Sequence, residues 1–214
     1  MKSLRLLAPL TVLALFGTAC SDVEEHDDGH DHNHGQITTL VLKFTPEGGG
    51  DTLSFTWADP EADGSPIADD ILLPDASDHD HHDVQVYTVD IELWNELEEP
   101  AEEVTPEVVE LPDEHQFFFT GSAVESLATG GNDAAIISQE YTDEDPDGLP
   151  IGLNGTVETL AWGGGELIVT LRHLAYEDDE PTKREGLAES VAEGGFASIP
   201  GDNDIQATFN IEVE

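Results

Sequence analysis

The run Val84–Trp94 (VQVYTVDIELW) alternates residue by residue, with Tyr87, Val89, Ile91 and Leu93 on one side and Thr88, Asp90 and Glu92 on the other. A period of two is the signature of a half-buried strand, and a helix cannot present those four apolar residues on one face. Ile37–Thr45 and Thr52–Trp57 have the same texture. Gln116–Thr120, Ala135–Tyr141, Thr156–Trp162, Glu166–Leu174 and Ile205–Val213 complete a set of about eight short strands. Glycine-rich turns at Gly48–Gly50, Gly130–Gly131 and Gly163–Gly165 punctuate them. The pattern predicts an all-β domain over residues 36–214, an antiparallel β-sandwich of immunoglobulin-like or jelly-roll type. Asn95–Glu110 is expected to form a short acidic helix or an extended connection, because Pro100 and Pro106 limit any helix to one or two turns.

The first nineteen residues read as a signal peptide. Lys2 and Arg5 precede an apolar stretch from Leu6 to Phe16, too short to span a bilayer as a stable helix. Small residues then lead to Cys20, the chain's single cysteine, placed as the lipidated residue of a lipoprotein. An ordinary secretory signal followed by a free thiol is the alternative. Ser21 in place of an aspartate favours the outer membrane, facing the periplasm or the cell surface. Residues 20–35 are polar, rich in Asp and His, and read as a disordered tether.

Charge narrows the partners. Beyond the cleavage point, Lys43, Arg172, Lys183 and Arg184 stand against all 48 Asp and Glu, four against 48, a formal charge of −44. Such a surface cannot neutralise phosphates, so nucleic acid is excluded. It also repels itself, which external salt or bound cations would relieve. Adaptation to a saline environment accounts for much of the excess without any specific site.

The placement of some acids is more specific. Asp59-Pro-Glu61-Ala-Asp63-Gly64-Ser-Pro66-Ile67 aligns with Asp143-Glu-Asp145-Pro-Asp147-Gly148-Leu-Pro150-Ile151, both reading D-x-[DE]-x-D-G-x-P-I after a strand that ends in an aromatic residue. Alternate carboxylates in a tight loop resemble the first half of a calcium loop, which makes Asp59, Glu61, Asp63, Asp143, Asp145 and Asp147 candidate Ca2+ ligands. The twelfth positions are Asp70 and Asn154, so a helix–loop–helix site is not supported, and Asp69, Asp70 or Glu140 would supply outside ligands. Two acidic turns with no ion are the competing reading.

Seven histidines fall in two tracts: His26, His30, His32 and His34 in the tether, and His79, His81 and His82 in an insert between strands. Imidazoles interleaved with carboxylates suit Zn2+, Cu2+ or Ni2+, although this spacing defines no fixed geometry and also suits a solvated linker. His115 and His173 differ. Both lie at strand ends within the domain, and meeting across the sandwich they would share a metal with Glu114. A structural role for both is the alternative.

Several segments occur in a fixed order: Ile37-Thr-Thr, Phe44-Thr-Pro, the first aspartate loop, Leu93-Trp-Asn95-Glu96, Glu114-His115-Gln116-Phe-Phe-Phe119, Asp143–Leu153 and Val169-Thr-Leu-Arg172-His173. In this order the chain resembles an uncharacterised family of small bacterial surface or periplasmic lipoproteins. Members are sometimes labelled a type 1 periplasmic-binding fold, an α/β architecture at odds with the strand texture here. The histidine insert and the histidine-rich tether depart from the family pattern and inherit no role from it.

Three functions compete. A metal-binding module of the envelope, working beside a transporter, draws on the aspartate loops and the histidines. An acidic adhesion or scaffold unit would bind a surface partner and need no specific metal. Catalysis is the weakest, because the chain has no G-x-S-x-G, no H-E-x-x-H and no phosphate-cradling glycine motif.

Overall fold

The computed structural model describes residues 36–74, 84–174, 176 and 180–214, all within one compact unit. The fold is all-β and sandwich-like, built from two sheets. Its strands are β1 (Thr39–Pro46), β2 (Leu53–Ala58), β3 (Ile67–Ala68), β4 (Ile71–Leu73), β5 (Val86–Asn95), β6 (Glu102–Glu103), β7 (His115–Thr120), β8 (Val124–Glu125), β9 (Ile137–Tyr141), β10 (Asn154–Thr159), β11 (Gly163–His173) and β12 (Asp202–Val213). Two short helices, α1 (Thr105–Glu110) and α2 (Leu187–Gly194), interrupt the series. Among the described residues, no helix is long and apolar enough to cross a membrane.

The larger sheet runs β3-β2-β1-β5-β10-β9-β8, with β6 paired to the far end of β5. The smaller sheet runs β4-β12-β11-β7. Most pairs are antiparallel, while β4 lies parallel to β12 and β8 parallel to β9. The core fills the space between the sheets. Tyr87, Val89, Ile91 and Leu93 of β5 turn inward as their alternation predicts, beside Leu40, Leu42 and Phe44 of β1. Opposite them stand Phe117 and Phe119 of β7, Leu167, Val169 and Leu171 of β11, and alternate residues of β12 from Ile205 to Val213. Phe44 meets Tyr87 and Phe55 edge-on, with centroids 6.0 and 5.9 Å apart. Burying one such ring stabilises the fold by about 1.5–3 kcal/mol.

Three sequence expectations change. Gly163–Gly165 is not a turn: it opens β11 and pairs with Val213, Glu212 and Ile211. The strand expected over Thr156–Trp162 is shifted toward the N-terminus and ends at Thr159. Helix α2 was not anticipated. Its Leu187, Ala188 and Val191 cover the outer face of β7, where Phe118 joins Leu174 and Ile199 in a second, smaller core. The helix expected near Asn95–Glu110 is confined to Thr105–Glu110, with Pro106 in its first turn, where a missing N–H costs nothing.

Strand directions place several features at one end of the sandwich. The loop after β2, the loop after β9, the start of β1 and the end of β5 share that end. Phe117 N donates to Ile151 O and Ile91 N to Leu153 O, which brings the start of β7 there too. Cross-strand pairing then adds the end of β11 and the start of β12.

Candidate metal centre

His115 and His173 meet, but as cross-strand neighbours in one sheet rather than across the sandwich. Their rings stack with centroids 5.0 Å apart and planes 15° apart. Each residue's place has a local cause. Helix α1 ends at Glu110, and its following carbonyl, Leu111 O, accepts from His115 Nδ1 at 2.8 Å. A carbonyl only accepts, so Nδ1 carries a proton, and Nε2 is the ring nitrogen that metal ligation would use. That is the arrangement in which outer-shell hydrogen bonds prepare metal-binding histidines. His115 Nε2 points at Asp204 Oδ2, 3.8 Å away. His173 Nε2 lies 3.3 Å from Glu114 Oε2.

Asp204 was not foreseen. It reaches the group because the β11–β12 register shifts between Leu171 and Arg172: Leu171 pairs with Ile205 and Arg172 with Asn203, so Asp204 has no opposite number. Such a bulge redirects one side chain. One ligand atom each from His115, His173 and Asp204 lies within 4.8 Å of the others. A tetrahedral ion with bonds of about 2.0–2.1 Å has ligand atoms roughly 3.3 Å apart. The His173–Glu114 pair already has that spacing, and His115, His173 and Asp204 would need to draw together by up to about 1.5 Å. In the ligating state, with both imidazoles neutral and both carboxylates ionised, the group would sum to −2, the complement of a divalent cation. His115 is buried, whereas His173 keeps 19 % of its side chain exposed and so offers the ion a way in.

The surrounding turn is tightly held. Leu174 N donates to Glu114 O at 2.6 Å. Tyr176 Oη donates to Asp113 Oδ2 at 2.6 Å, and that bond raises the phenol to about 12. Lys183 Nζ donates to Pro112 O at 2.6 Å. Arg172 fixes the approach to β12: its Nε donates to Pro200 O, one terminal nitrogen donates to Asn203 Oδ1, and its guanidinium lies over the Phe196 ring.

The two aspartate loops are hairpin connections at this same end, but four strand spacings separate them in the sheet, about 19 Å. They cannot share an ion. Their carboxylates also do different things. In the first loop Asp59 accepts from Asp63 N and Gly64 N, and Asp63 from Ser65 N, while Glu61 and Asp63 are exposed. In the second, Asp143 accepts from Gly152 N and Asn154 N, and Asp145 Oδ1 accepts from Asp147 N and Leu149 N. Asp145 Oδ2 faces the Lys183 ammonium at 3.0 Å, with both side chains 1 % exposed. The second loop thus already holds a positive charge from its own chain, and Asp147 is exposed. Of the outside ligands considered, Asp69 accepts from Thr56 N, Asp70 from Asn210 Nδ2, and Glu140 is an exposed residue of β9.

Cys20 and the histidines at 26, 30, 32, 34, 79, 81 and 82 lie outside the described residues. No family model, curated protein or solved structure matches this chain.

Proposed function

We propose that this chain is a lipid-anchored protein of the cell envelope whose β-sandwich binds a divalent transition-metal ion, zinc in the first instance, through Glu114, His115, His173 and Asp204. The observation that carries the proposal is the orientation of His115. Its Nδ1 proton is committed to Leu111 O, so Nε2 is the nitrogen that faces the Asp204 carboxylate, 3.8 Å away. A cation held between that nitrogen and the carboxylate would be bound by both. Nitrogen and carboxylate donors together favour Zn2+ or Cu2+ over Ca2+. On this reading the protein captures or buffers its ion, beside a transporter or alone, and performs no catalysis. Calcium at the two aspartate loops is a separate proposal.

The test uses the mature chain with Cys20→Ser for solubility and the seven tract histidines replaced by glutamine. One equivalent of Zn2+ is expected by calorimetry, lost in His173→Gln. Co2+ should give visible absorption bands whose intensity reports four-coordinate geometry. Affinity should fall as pH drops below about 6.5, where free imidazoles take up protons. A tract-free protein that binds no Zn2+ sinks the proposal and leaves an acidic scaffold domain. The anchor is checked separately: Cys20→Ala in the otherwise unaltered chain should move the protein from the membrane to the soluble fraction.

A further inference from the structure

Away from the metal centre, a cleft of about 690 Å3 opens along strand β9. Gln139, Glu140 and Tyr141 of β9 line it together with Leu127, Pro150 and Glu189. The volume suits a bound molecule or a short stretch of chain.

The wall formed by β9 is an open sheet edge. Thr142 N donates to Asn154 O and Leu160 N to Ile136 O, so even-numbered residues of β9 turn their backbone groups toward β10. Odd-numbered residues turn theirs to the other edge, as Ile137 N shows by donating to Ala123 O. Strand β8 covers that edge only as far as the pair Glu125–Ser138. Beyond it, at Glu140–Tyr141, no strand lies alongside among the described residues. Gln139 is also buried, and neither polar atom of its carboxamide has a hydrogen-bond partner among the described residues.

Charge selects the occupant. Glu125, Glu140, Glu144 and Glu189 border the cleft, all exposed, and no Lys or Arg does among the described residues. An edge lined with like charge resists pairing with a second copy of so acidic a chain. It admits a strand of opposite charge. Leu127, 54 % exposed, and Pro150 supply an apolar surface for the alkyl stems of long cationic side chains. We infer that this cleft receives an extended, lysine- or arginine-bearing segment of another protein, which adds to β9 as a further strand. Main-chain hydrogen bonds to the edge hold it, and alternate cationic side chains meet the glutamates.

The test titrates the mature chain with a capped heptapeptide alternating lysine and valine, and follows backbone amide exchange at Tyr141. Binding is expected to slow that exchange about tenfold or more. The same peptide, N-methylated at the residues that would ladder, should bind about tenfold more weakly or worse, as should the parent peptide to the surface variant Glu144→Lys with Glu189→Lys. Equal binding of the N-methylated peptide would show charge attraction without strand addition and overturn the inference. So would the absence of binding at millimolar peptide. Both readouts are independent of the metal centre.

Discussion

Lys183 is the residue on which most of the local architecture turns. Its ammonium is buried, which lowers its pKa, while Asp145 offsets part of that shift. It ties the second aspartate loop to Pro112, one residue from the carboxylate that bonds Tyr176 and two from Glu114. A buried pair is weak evidence of net stability, but breaking one strands a charge. Lys183→Met should therefore cost about 3–5 kcal/mol in urea unfolding. Lys183→Met with Asp145→Asn should cost much less, because no charge is left uncompensated. The single variant also probes the calcium reading. If the ammonium stands in for an ion, millimolar Ca2+ should restore part of the lost stability in Lys183→Met and do less for the native chain. Equal calcium shifts in both would show that the second loop is not a cation site.

At the scale of elements, the hairpin-like approach to β12 decides whether the metal ligands meet. Gly201 adopts φ +82°, and a Cβ there would lie 1.8 Å from His173 O. Gly201→Ala should therefore push β12 away from the end of β11. The expected result is a loss of more than about 3 kcal/mol, or a folded protein with weakened zinc binding. Unchanged melting and unchanged zinc affinity would mean that the segment does not position the centre. Much of the sandwich was legible because alternation in β1, β5 and β12 is strict, so the inward set could be read directly. Gly163–Gly165 reads as a turn because glycine contributes nothing to a hydrophobic pattern, whereas Val213 and its neighbours impose the strand. Helix α2 does carry a sequence signal: Leu187, Ala188 and Val191 share a helical face, bracketed by Gly186 and Gly195. The short strands β3, β4, β6 and β8 have no local signature, since distant partners define them. Glu114, His115 and His173 could be singled out as chemistry-bearing residues at strand ends. Asp204 could not, because a bulge rather than a period turns it to them.

For the molecule as a whole, the few cations are mostly spent on the fold. Lys43 pairs with Glu92 across the outer face of β1 and β5, Arg172 clamps the segment before β12, and Lys183 is buried with Asp145. Arg184 is exposed and donates to Thr182 O. The surface is therefore almost purely anionic, and folding concentrates that charge against Coulomb repulsion. Exposed charges are screened over about 8 Å at 0.15 M ionic strength and about 3 Å at 1 M. Raising NaCl from 0.05 to 1 M should stabilise the native state by a few kcal/mol, roughly 5–10 °C in melting temperature for a domain of this size. KCl should match NaCl, because screening does not distinguish the two. Zinc at micromolar concentration should add a further shift, since an ion bound only to the native state stabilises it by mass action. That increment should vanish in His173→Gln while the salt response persists. A melting temperature insensitive to NaCl would mean that the unfolded chain carries the same repulsion as the folded one. The acid excess would then govern solubility and partner choice rather than stability.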